Sequence, residues 1–450
     1  MTEELTRKDV LRRAWPIIVA NATLPLIGLV DTALIGNTGS VLDLGAIALG
    51  VLVFNFLHFG LGFLRMGTTG FIAQAAGAGD EAEVRAVLGR ALLLAAAIGL
   101  LLLGLKPVLP DLALALLHGS PAVEALARSY IDVRLWGTPA SLATLAVRGT
   151  LIGLGFSREL LLLEVVLNGV NLGLNLIFVG MLHWGAGGVA LGSTLAEWVG
   201  LALSLTIVGR RMLGRRRDRE PFFPWPRIRR LEHMKVMLDT NADIMLRTIF
   251  LLLGFAVFTD RGARFGDATL AANHVLLQFL SFSAFFLDGY ANVAESLVGV
   301  AIGARRRAAF DRAVRRSSEL ALASALALAL LWWGLGPFLI DRLTDLDAVR
   351  ETARRYLPYA ALYTLLSVGA FQLDGIFIGA TRSRDMRNAA LLSISAFLLA
   401  AGLLTARPGN VGLWLAFNLF VVARALALLL HYPRLRRSIP DAPAPDPAPA

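Results

Sequence analysis

The sequence contains no cysteine, and its six histidines are scattered without an H-E-x-x-H pair. The missing cysteines exclude disulfides, iron–sulfur ligation and thiolate catalysis. A phosphate loop of the G-x-x-x-x-G-K-[ST] kind is also absent from the sequence, which argues against direct ATP hydrolysis by this chain. Charged residues make up only 17% of the chain, fewer than the roughly 25% of an average soluble domain.

The sequence is instead dominated by long apolar runs. Hydrophobic side chains make up 56% of the 450 residues, and the mean hydropathy is +0.65. A helix of roughly 20 apolar residues crosses a bilayer core, and runs of that length recur from end to end. The sequence therefore predicts an all-α polytopic membrane protein. Its twelve predicted transmembrane helices are 14–36, 44–72, 86–107, 130–154, 160–182, 187–208, 236–259, 268–302, 318–340, 356–380, 388–406 and 410–432.

The net charge of +10 is a topology signal, because most lysines and arginines lie in alternate short loops between the apolar runs. This asymmetry predicts that both termini and the long basic loop are cytoplasmic. The basic loop also divides the helices six and six. The predicted domains are an N-terminal lobe at 1–209, a linker at 210–235, a C-terminal lobe at 236–433 and a disordered tail at 434–450.

A faint internal repeat supports two lobes. Gly77-Ala-Gly-Asp-Glu-Ala82 and Gly303-Ala-Arg-Arg-Arg-Ala308 lie 226 positions apart, and each follows a long helix rich in glycine and alanine. Six helices per half give both halves the same orientation. A parallel repeat of this kind relates two lobes by a pseudo-twofold axis along the membrane normal, with a central cavity between them.

One acid stands inside the first predicted helix. Asp31 is the only ionisable residue of the run 14–36, which also carries Pro25. A charge at that depth costs at least about 2.5 kcal/mol, so such a residue is usually paired or functional.

Three amides follow one face of the fifth predicted helix, because Asn168, Asn171 and Asn175 are spaced i, i+3, i+7. They fit hydrogen bonding between helices. They also fit a small hard cation such as Na⁺, for which Asn171 and Asn175 would supply oxygens together with Asp31 and Thr194. The same acid could instead take a proton.

The C-terminal half carries a second set of acids. Asp243 and Arg247, at i and i+4, are predicted to neutralise one another as a structural ion pair. Asp374 is either paired with an arginine on another helix or a second titrating site. Asp288 and Glu295 are seven residues apart on one helix face and are further candidate acids.

The remaining buried acids of the N-terminal half have a structural interpretation. Glu164 and Glu197 are predicted to be ion-pair partners of Arg134 and Arg148.

Several motifs together resemble the multidrug and toxic compound extrusion (MATE) family, and within it the DinF branch. The similarity runs from about residue 10 to 433. That resemblance implies two six-helix lobes, alternating access, and export of organic, often cationic or amphipathic compounds driven by inward H⁺ or Na⁺. The motifs are Ala14-Trp-Pro-Ile-Ile, Gly28-Leu-Val-Asp-Thr-Ala-Leu-Ile-Gly36, Phe63-Leu-Arg-Met-Gly-Thr-Thr-Gly70, Tyr130-Ile-Asp-Val-Arg-Leu-Trp-Gly137, Leu287-Asp-Gly289 with Ala294-Glu295, and Phe371-Gln-Leu-Asp-Gly-Ile-Phe-Ile-Gly-Ala-Thr381.

By matching motif positions, the resemblance implies that Asp31 is the coupling acid of the first helix and that this helix bends at Pro25. Asn171 and Thr194 fall near the family's other polar positions in the N-terminal lobe. Asp374 matches the acid of the tenth-helix Leu-Asp-Gly motif.

This chain departs from that pattern at one position. Many relatives have an aspartate one turn after Asn171, whereas this chain has Asn175. The site therefore carries less negative charge, which favours a proton over Na⁺ as the coupling ion.

The sequence thus predicts a secondary antiporter of the bacterial cytoplasmic membrane, not an enzyme, with H⁺ favoured over Na⁺ and no cofactor. Its predicted partners are small organic substrates and membrane lipids, without nucleic acid, and it is predicted to function as a monomer. One alternative is a flippase for lipid-linked precursors, which should have a strongly cationic cavity and more than twelve helices. Another is a membrane-embedded enzyme acting on lipids, which should have clustered catalytic or metal-binding residues.

Overall fold

The computed structural model describes residues 5–38, 40–115, 117, 119–215, 218, 220–405 and 409–440, without the side chains of 24–33, 35–38 and 215. That part of the chain is built from helices joined by short turns. The helices are α1 (Arg7–Thr38), α2 (Val41–Leu61), α3 (Phe63–Gly77), α4 (Glu81–Gly104), α5 (Leu109–Ala115), α6 (Pro121–Arg134), α7 (Thr138–Gly153), α8 (Ser157–Asn175), α9 (Gly185–Arg215), α10 (Trp225–Ile228), α11 (Leu231–Ala263), α12 (Asp267–Gly303), α13 (Arg307–Leu343), α14 (Asp347–Gly379), α15 (Ser383–Leu404) and α16 (Asn410–Arg437).

Each of the twelve predicted segments coincides with one of these helices or with a consecutive pair of them, except that 160–182 comprises α8 and the π-helical turn Leu176–Met181 that continues it. Within the described residues, ten helical segments are long and apolar enough to cross a bilayer. The predicted fold class, an all-helical multi-pass membrane protein, is therefore confirmed.

Two predicted segments are interrupted in the structure. The segment 44–72 is divided at Gly62, between α2 and α3. The segment 130–154 is divided by a 3₁₀ turn at Leu135–Gly137, after which α7 begins with Pro139 in its first turn. Because proline has no N–H to donate to the preceding turn, Pro139 fits the start of a helix and disrupts the hydrogen bonding of a continuous one.

The internal repeat recurs in the backbone. Three pairs of residues with positive φ follow the ends of corresponding helices, and the two members of each pair differ by 226 in residue number. The pairs are Gly79 (φ 74°) with Arg305 (φ 55°), Gly155 (φ 74°) with Thr381 (φ 54°), and His183 (φ 56°) with Gly409 (φ 58°). Since residues other than glycine rarely adopt this conformation, the recurrence supports the repeat more strongly than the shared glycines and alanines do.

The chain divides into two compact units. The predicted lobe limits at 209 and 236 stay a prediction. Within the first unit, Ile18 packs against Gly289 of α12, and Gln74 donates to the carbonyl of Gly379 at 2.9 Å. The first unit comprises Met1–Ile18, Ala73–Gly79 and Asp239–Ala450, and the second comprises Val19–Ile72 and Asp80–Leu238.

Close packing of α12 against α14 forms the interior of the first unit. Gly375 and Gly379, one turn apart on α14, lie against the backbone carbonyls of Ala291 and Glu295 on α12, where a β-carbon would overlap those oxygens. Small residues at this spacing let two helix backbones approach closely, and the van der Waals packing that results helps to drive helix association inside a membrane.

The second unit also contains a close helix crossing formed by two glycines one turn apart. Gly149 and Gly153 of α7 lie against the backbone carbonyls of Arg65 and Thr69 on α3. Both positions are buried in α7, so α3 and α7 form a tightly packed pair. The apolar helices α8 and α9 pack beside α7, and their polar side chains form the candidate site.

Candidate ion-coupling site

The amides of α8 form a hydrogen-bonded chain that ends on α9. Asn175 is fully buried and Asn171 is 5% exposed. Asn175 Nδ2 donates to Asn171 Oδ1 at 3.3 Å, and Asn171 Nδ2 donates to the hydroxyl oxygen of Ser193 at 2.9 Å. The structure therefore brings two of the predicted site residues into direct contact and adds Ser193, which sequence reasoning missed.

Thr194 lies beside this chain on α9. It is 5% exposed, and its hydroxyl donates to the carbonyl of Val133 at 3.2 Å. Gly192 makes the approach of α8 and α9 possible, because a β-carbon there would overlap the amide oxygen of Asn175. The sequence Gly192-Ser193-Thr194 was the available signal for this contact, since a small residue next to two hydroxyls is typical of close, hydrogen-bonded helix pairs.

The same face of α8 also reaches α1. Asn168 Nδ2 donates to the hydroxyl oxygen of Thr23 at 2.8 Å, and Thr23 itself donates to the carbonyl of Ala20. Asp31 and Pro25 lie further along α1, which is helical from Arg7 to Thr38. Their side chains are outside the described residues, so the role of Asp31 and the bending at Pro25 stay predictions.

Two buried ion pairs flank the polar face, as predicted. Arg134 Nη1 lies 2.9 Å from Glu197 Oε1, and Arg148 Nε lies 2.8 Å from Glu164 Oε1. Gly137 accommodates the Glu197 carboxylate, since a β-carbon there would overlap one of its oxygens. Both glutamates therefore have their charge compensated by an arginine on a neighbouring helix.

The predicted ion pair between Asp243 and Arg247 is wrong. Asp243 instead accepts a hydrogen bond from Arg387 Nη1 at 2.7 Å and one from the Ser383 hydroxyl at 2.9 Å, both from the start of α15. Arg247 instead pairs with Asp374 of α14. Residues at i and i+4 lie on one face of α11, but α14 and α15 offer each side chain a partner of opposite charge from outside that helix.

Asp374 has the arginine partner that was one of its two interpretations. Its side chain is 8% exposed, pairs with Arg247 of α11 and lies 3.8 Å from Nη2 of Arg424 on α16. Arg424 is also close enough to Asp288 to interact electrostatically. One carboxylate thus faces two guanidinium groups, and the cluster joins three helices.

The two other candidate acids have different surroundings. Asp288 is exposed, whereas Glu295 is 2% exposed. Although both belong to α12, they do not share one environment. Glu295 also lies at the tight crossing with α14, where its carbonyl contacts Gly379.

Comparison with known proteins identifies the family to which this chain is similar. The family model described as MatE matches residues 16–177 and 244–403. DNA damage-inducible protein F of Escherichia coli (strain K12) is 37% identical over 423 residues, which cover 94% of this chain and 91% of that protein. A probable multidrug resistance protein NorM of Rhizobium meliloti (strain 1021) is 27% identical over 452 residues, covering 95% and 93%.

The fold has solved counterparts as well. The Vibrio cholerae MATE transporter VcmN in its bent form superimposes with a TM-score of 0.87 at 20% identity, covering 96% of this chain and 97% of that one. The twelve-helix topology is shared with such structures. Membership of a transporter family also overturns the alternative of a membrane-embedded enzyme. The chain belongs to the MATE family, in agreement with the resemblance of its motifs.

Proposed function

We propose that this MATE transporter exports organic, amphipathic or cationic compounds in exchange for protons, and that Asp31 is the coupling acid. The observation that carries the choice of ion is the bond from Asn175 to Asn171. It engages the amide oxygen of Asn171, one of the oxygens that a Na⁺ site at this position would need. Na⁺ would have to displace that bond, whereas a proton needs only the carboxylate.

Two buried glutamates of the N-terminal half support the same choice. Glu164 and Glu197 each face an arginine, so neither adds net negative charge to attract a metal cation. In the absence of such charge, a hard cation is held weakly, because its affinity depends on the number of charged oxygen ligands.

The cluster around Asp374 argues against a second coupling site there. Neutralising Asp374 would remove the carboxylate that pairs with Arg247 and leave Arg424 with only the exposed Asp288 nearby, which is costly inside the membrane. We infer that Asp374 keeps its charge through the cycle and serves as a structural anchor.

The proposed cycle follows from differential binding. Protonation of Asp31 removes a charge from α1 and changes the interactions of α1 with the neighbouring helices. Coupling requires that the protonated and ionised forms favour different conformations. The conformation that releases the proton inward would then be the one that accepts substrate.

The decisive experiment uses purified protein in proteoliposomes, with a panel of cationic and amphipathic dyes under an imposed pH or Na⁺ gradient. Asp31→Asn should abolish dye-dependent proton flux, and Asp260→Asn, at an exposed surface pair with Arg264, should leave it unchanged. Transport that follows the Na⁺ gradient, or an active Asp31→Asn variant, would contradict the proposal. Transport of a lipid-linked precursor but none of the dyes would favour the flippase alternative.

A further inference from the structure

The linker between α9 and α11 is fixed to α4 by ion pairs. Arg85 of α4 is 1% exposed and donates to Asp218 at 2.7 Å. Arg227 of α10 donates to both carboxylate oxygens of Asp80, at 2.8 and 3.0 Å, and to Glu220 at 2.8 Å. The hydrogen bonds to Asp80 and then to Glu220 raise the pKa of the Arg227 guanidinium above its ordinary value. These contacts hold the short helix α10 in one position.

That position corresponds to the boundary of the membrane. Ile228 of α10 is 1% exposed and packs on Gly89 of α4, where a β-carbon would lie 2.6 Å from Ile228 Cδ1. Arg90 is the last charged residue of α4, and 91–105 contains none. Because the apolar part of α4 crosses the bilayer, α10 lies at the level where headgroups meet the hydrocarbon core.

The exposed side chains of α10 and of the residues on either side of it are both apolar and basic. Trp225 is 50% exposed, Leu231 is 83% exposed and Phe223 is 36% exposed. The guanidinium of Arg229 stands 5.5 Å from the centroid of the Trp225 ring, and Arg230 is exposed next to it. We call these five residues the interfacial patch.

The chemistry of the patch matches one kind of partner. Tryptophan is enriched where a protein meets the interface of a membrane, because its ring is apolar and its N–H is polar. Arginines at the same level attract anionic headgroups. The nearby acids Asp80 and Glu220 already bind Arg227, so they offset little of the charge on Arg229 and Arg230.

We propose that the interfacial patch binds an anionic phospholipid of the adjoining leaflet. Trp225 and Leu231 contact the acyl chains near their carbonyl ends, and Arg229 and Arg230 bind the phosphate. The bound lipid thereby anchors the linker at the membrane surface.

A first experiment measures lipid preference. The full-length protein is reconstituted in phosphatidylcholine, and the association of spin-labelled phosphatidylglycerol is compared with that of spin-labelled phosphatidylcholine. Arg229→Gln with Arg230→Gln should lower the preference by about fivefold for each arginine removed at low ionic strength, and Trp225→Ala should lower it as well. The matched control is Arg305→Gln with Arg306→Gln, an adjacent exposed pair in the turn between α12 and α13.

The loss of lipid preference in the 229 and 230 variant is compared with the loss in the 305 and 306 variant, and this comparison tests the proposal. A larger loss for the pair at 229 and 230 supports a site, whereas equal losses would show that only diffuse basic charge attracts the lipid and would overturn the proposal. Unfolding temperatures of all variants are measured in the same membranes, so that loss of the fold is recognised.

A second experiment locates Trp225 in the membrane. The difference in fluorescence between the wild type and Trp225→Phe isolates one of the eight tryptophans. Phosphatidylglycerol brominated near the carbonyl end of its chains should quench this component. Quenching by aqueous iodide but not by the brominated lipid would place Trp225 in water and contradict the proposal, even where the first experiment shows a preference.

Discussion

At the scale of single residues, the charges inside the membrane are arranged as partners across helices. Arg134, Arg148 and Arg247 each find a carboxylate on a different helix. An unpaired charge at this depth is costly, and breaking a buried pair costs more than the pair itself contributes, because the remaining charge has no partner. These residues therefore constrain which helices can be neighbours.

The cluster around Asp374 gives a direct test. Asp374→Asn removes the carboxylate that Arg247 and Arg424 share, so we expect the free energy of unfolding to fall by about 3–5 kcal/mol. The additional change Arg247→Gln should restore part of this loss, because it removes one of the two stranded charges. Thermal unfolding in detergent, followed by circular dichroism, measures both effects.

The control for this prediction is Asp260→Asn, which removes a carboxylate from an exposed pair. Such surface pairs contribute about 0–1 kcal/mol, so its unfolding temperature should stay near that of the wild type. If Asp374→Asn unfolded at the same temperature as this control, the anchoring role of Asp374 would be wrong.

At the scale of helices, glycine at one-turn spacing determines the closest crossings. Gly375 and Gly379 on α14 meet carbonyl oxygens of α12, and Gly149 and Gly153 on α7 meet carbonyl oxygens of α3. A backbone oxygen cannot move aside as a flexible side chain can. The crossings therefore depend on the absence of a β-carbon at these positions.

Replacing one of these glycines should separate the helices. We expect Gly375→Ala to destabilise the protein by about 1–3 kcal/mol, as overpacking of a close-packed interior does. Gly334→Ala on α13 is the matched control, because nothing lies within 4 Å of the added carbon. There the higher helix propensity of alanine should stabilise the protein by up to about 1 kcal/mol. The two unfolding temperatures, measured side by side, should shift in opposite directions, and a stabilised Gly375→Ala variant would contradict this account of the crossing.

At the scale of helices, the sequence predicts the transmembrane segments well because one physical property, hydropathy over a sufficient length, determines them. The apolar runs predicted twelve segments because crossing a bilayer requires length and hydropathy alone. The same reasoning missed the interruption before α7, since proline also occurs inside membrane-spanning helices and Pro139 did not by itself end the predicted segment. It also paired Asp243 with Arg247 from their spacing, whereas the choice of Arg387 and Asp374 depends on which helices pack together. Hydrogen-bond partners such as Ser193 and Thr23 are non-local for the same reason.

At the scale of the whole molecule, the two halves repeat the same helix ends, and the charges of the turns alternate along the chain. Residues with positive φ recur at matching helix ends in both halves. The turn after α12 carries Arg305 and Arg306, whereas Asp345 in the turn after α13 has a fully exposed side chain. Successive turns of a helical membrane protein alternate between its two sides, so these turns lie on opposite sides of the membrane.

The orientation of the molecule can be tested cleanly because the chain contains no cysteine. Single variants Arg306→Cys, Ser438→Cys and Asp345→Cys each introduce one thiol at an exposed position of the described structure. Because basic turns stay in the cytoplasm, a membrane-impermeant maleimide applied to intact cells should label only Asp345→Cys. In permeabilised cells it should label all three, which confirms that each thiol is accessible. Labelling of Arg306→Cys and Ser438→Cys in intact cells, with Asp345→Cys protected, would invert the predicted topology and place the interfacial patch on the outer surface.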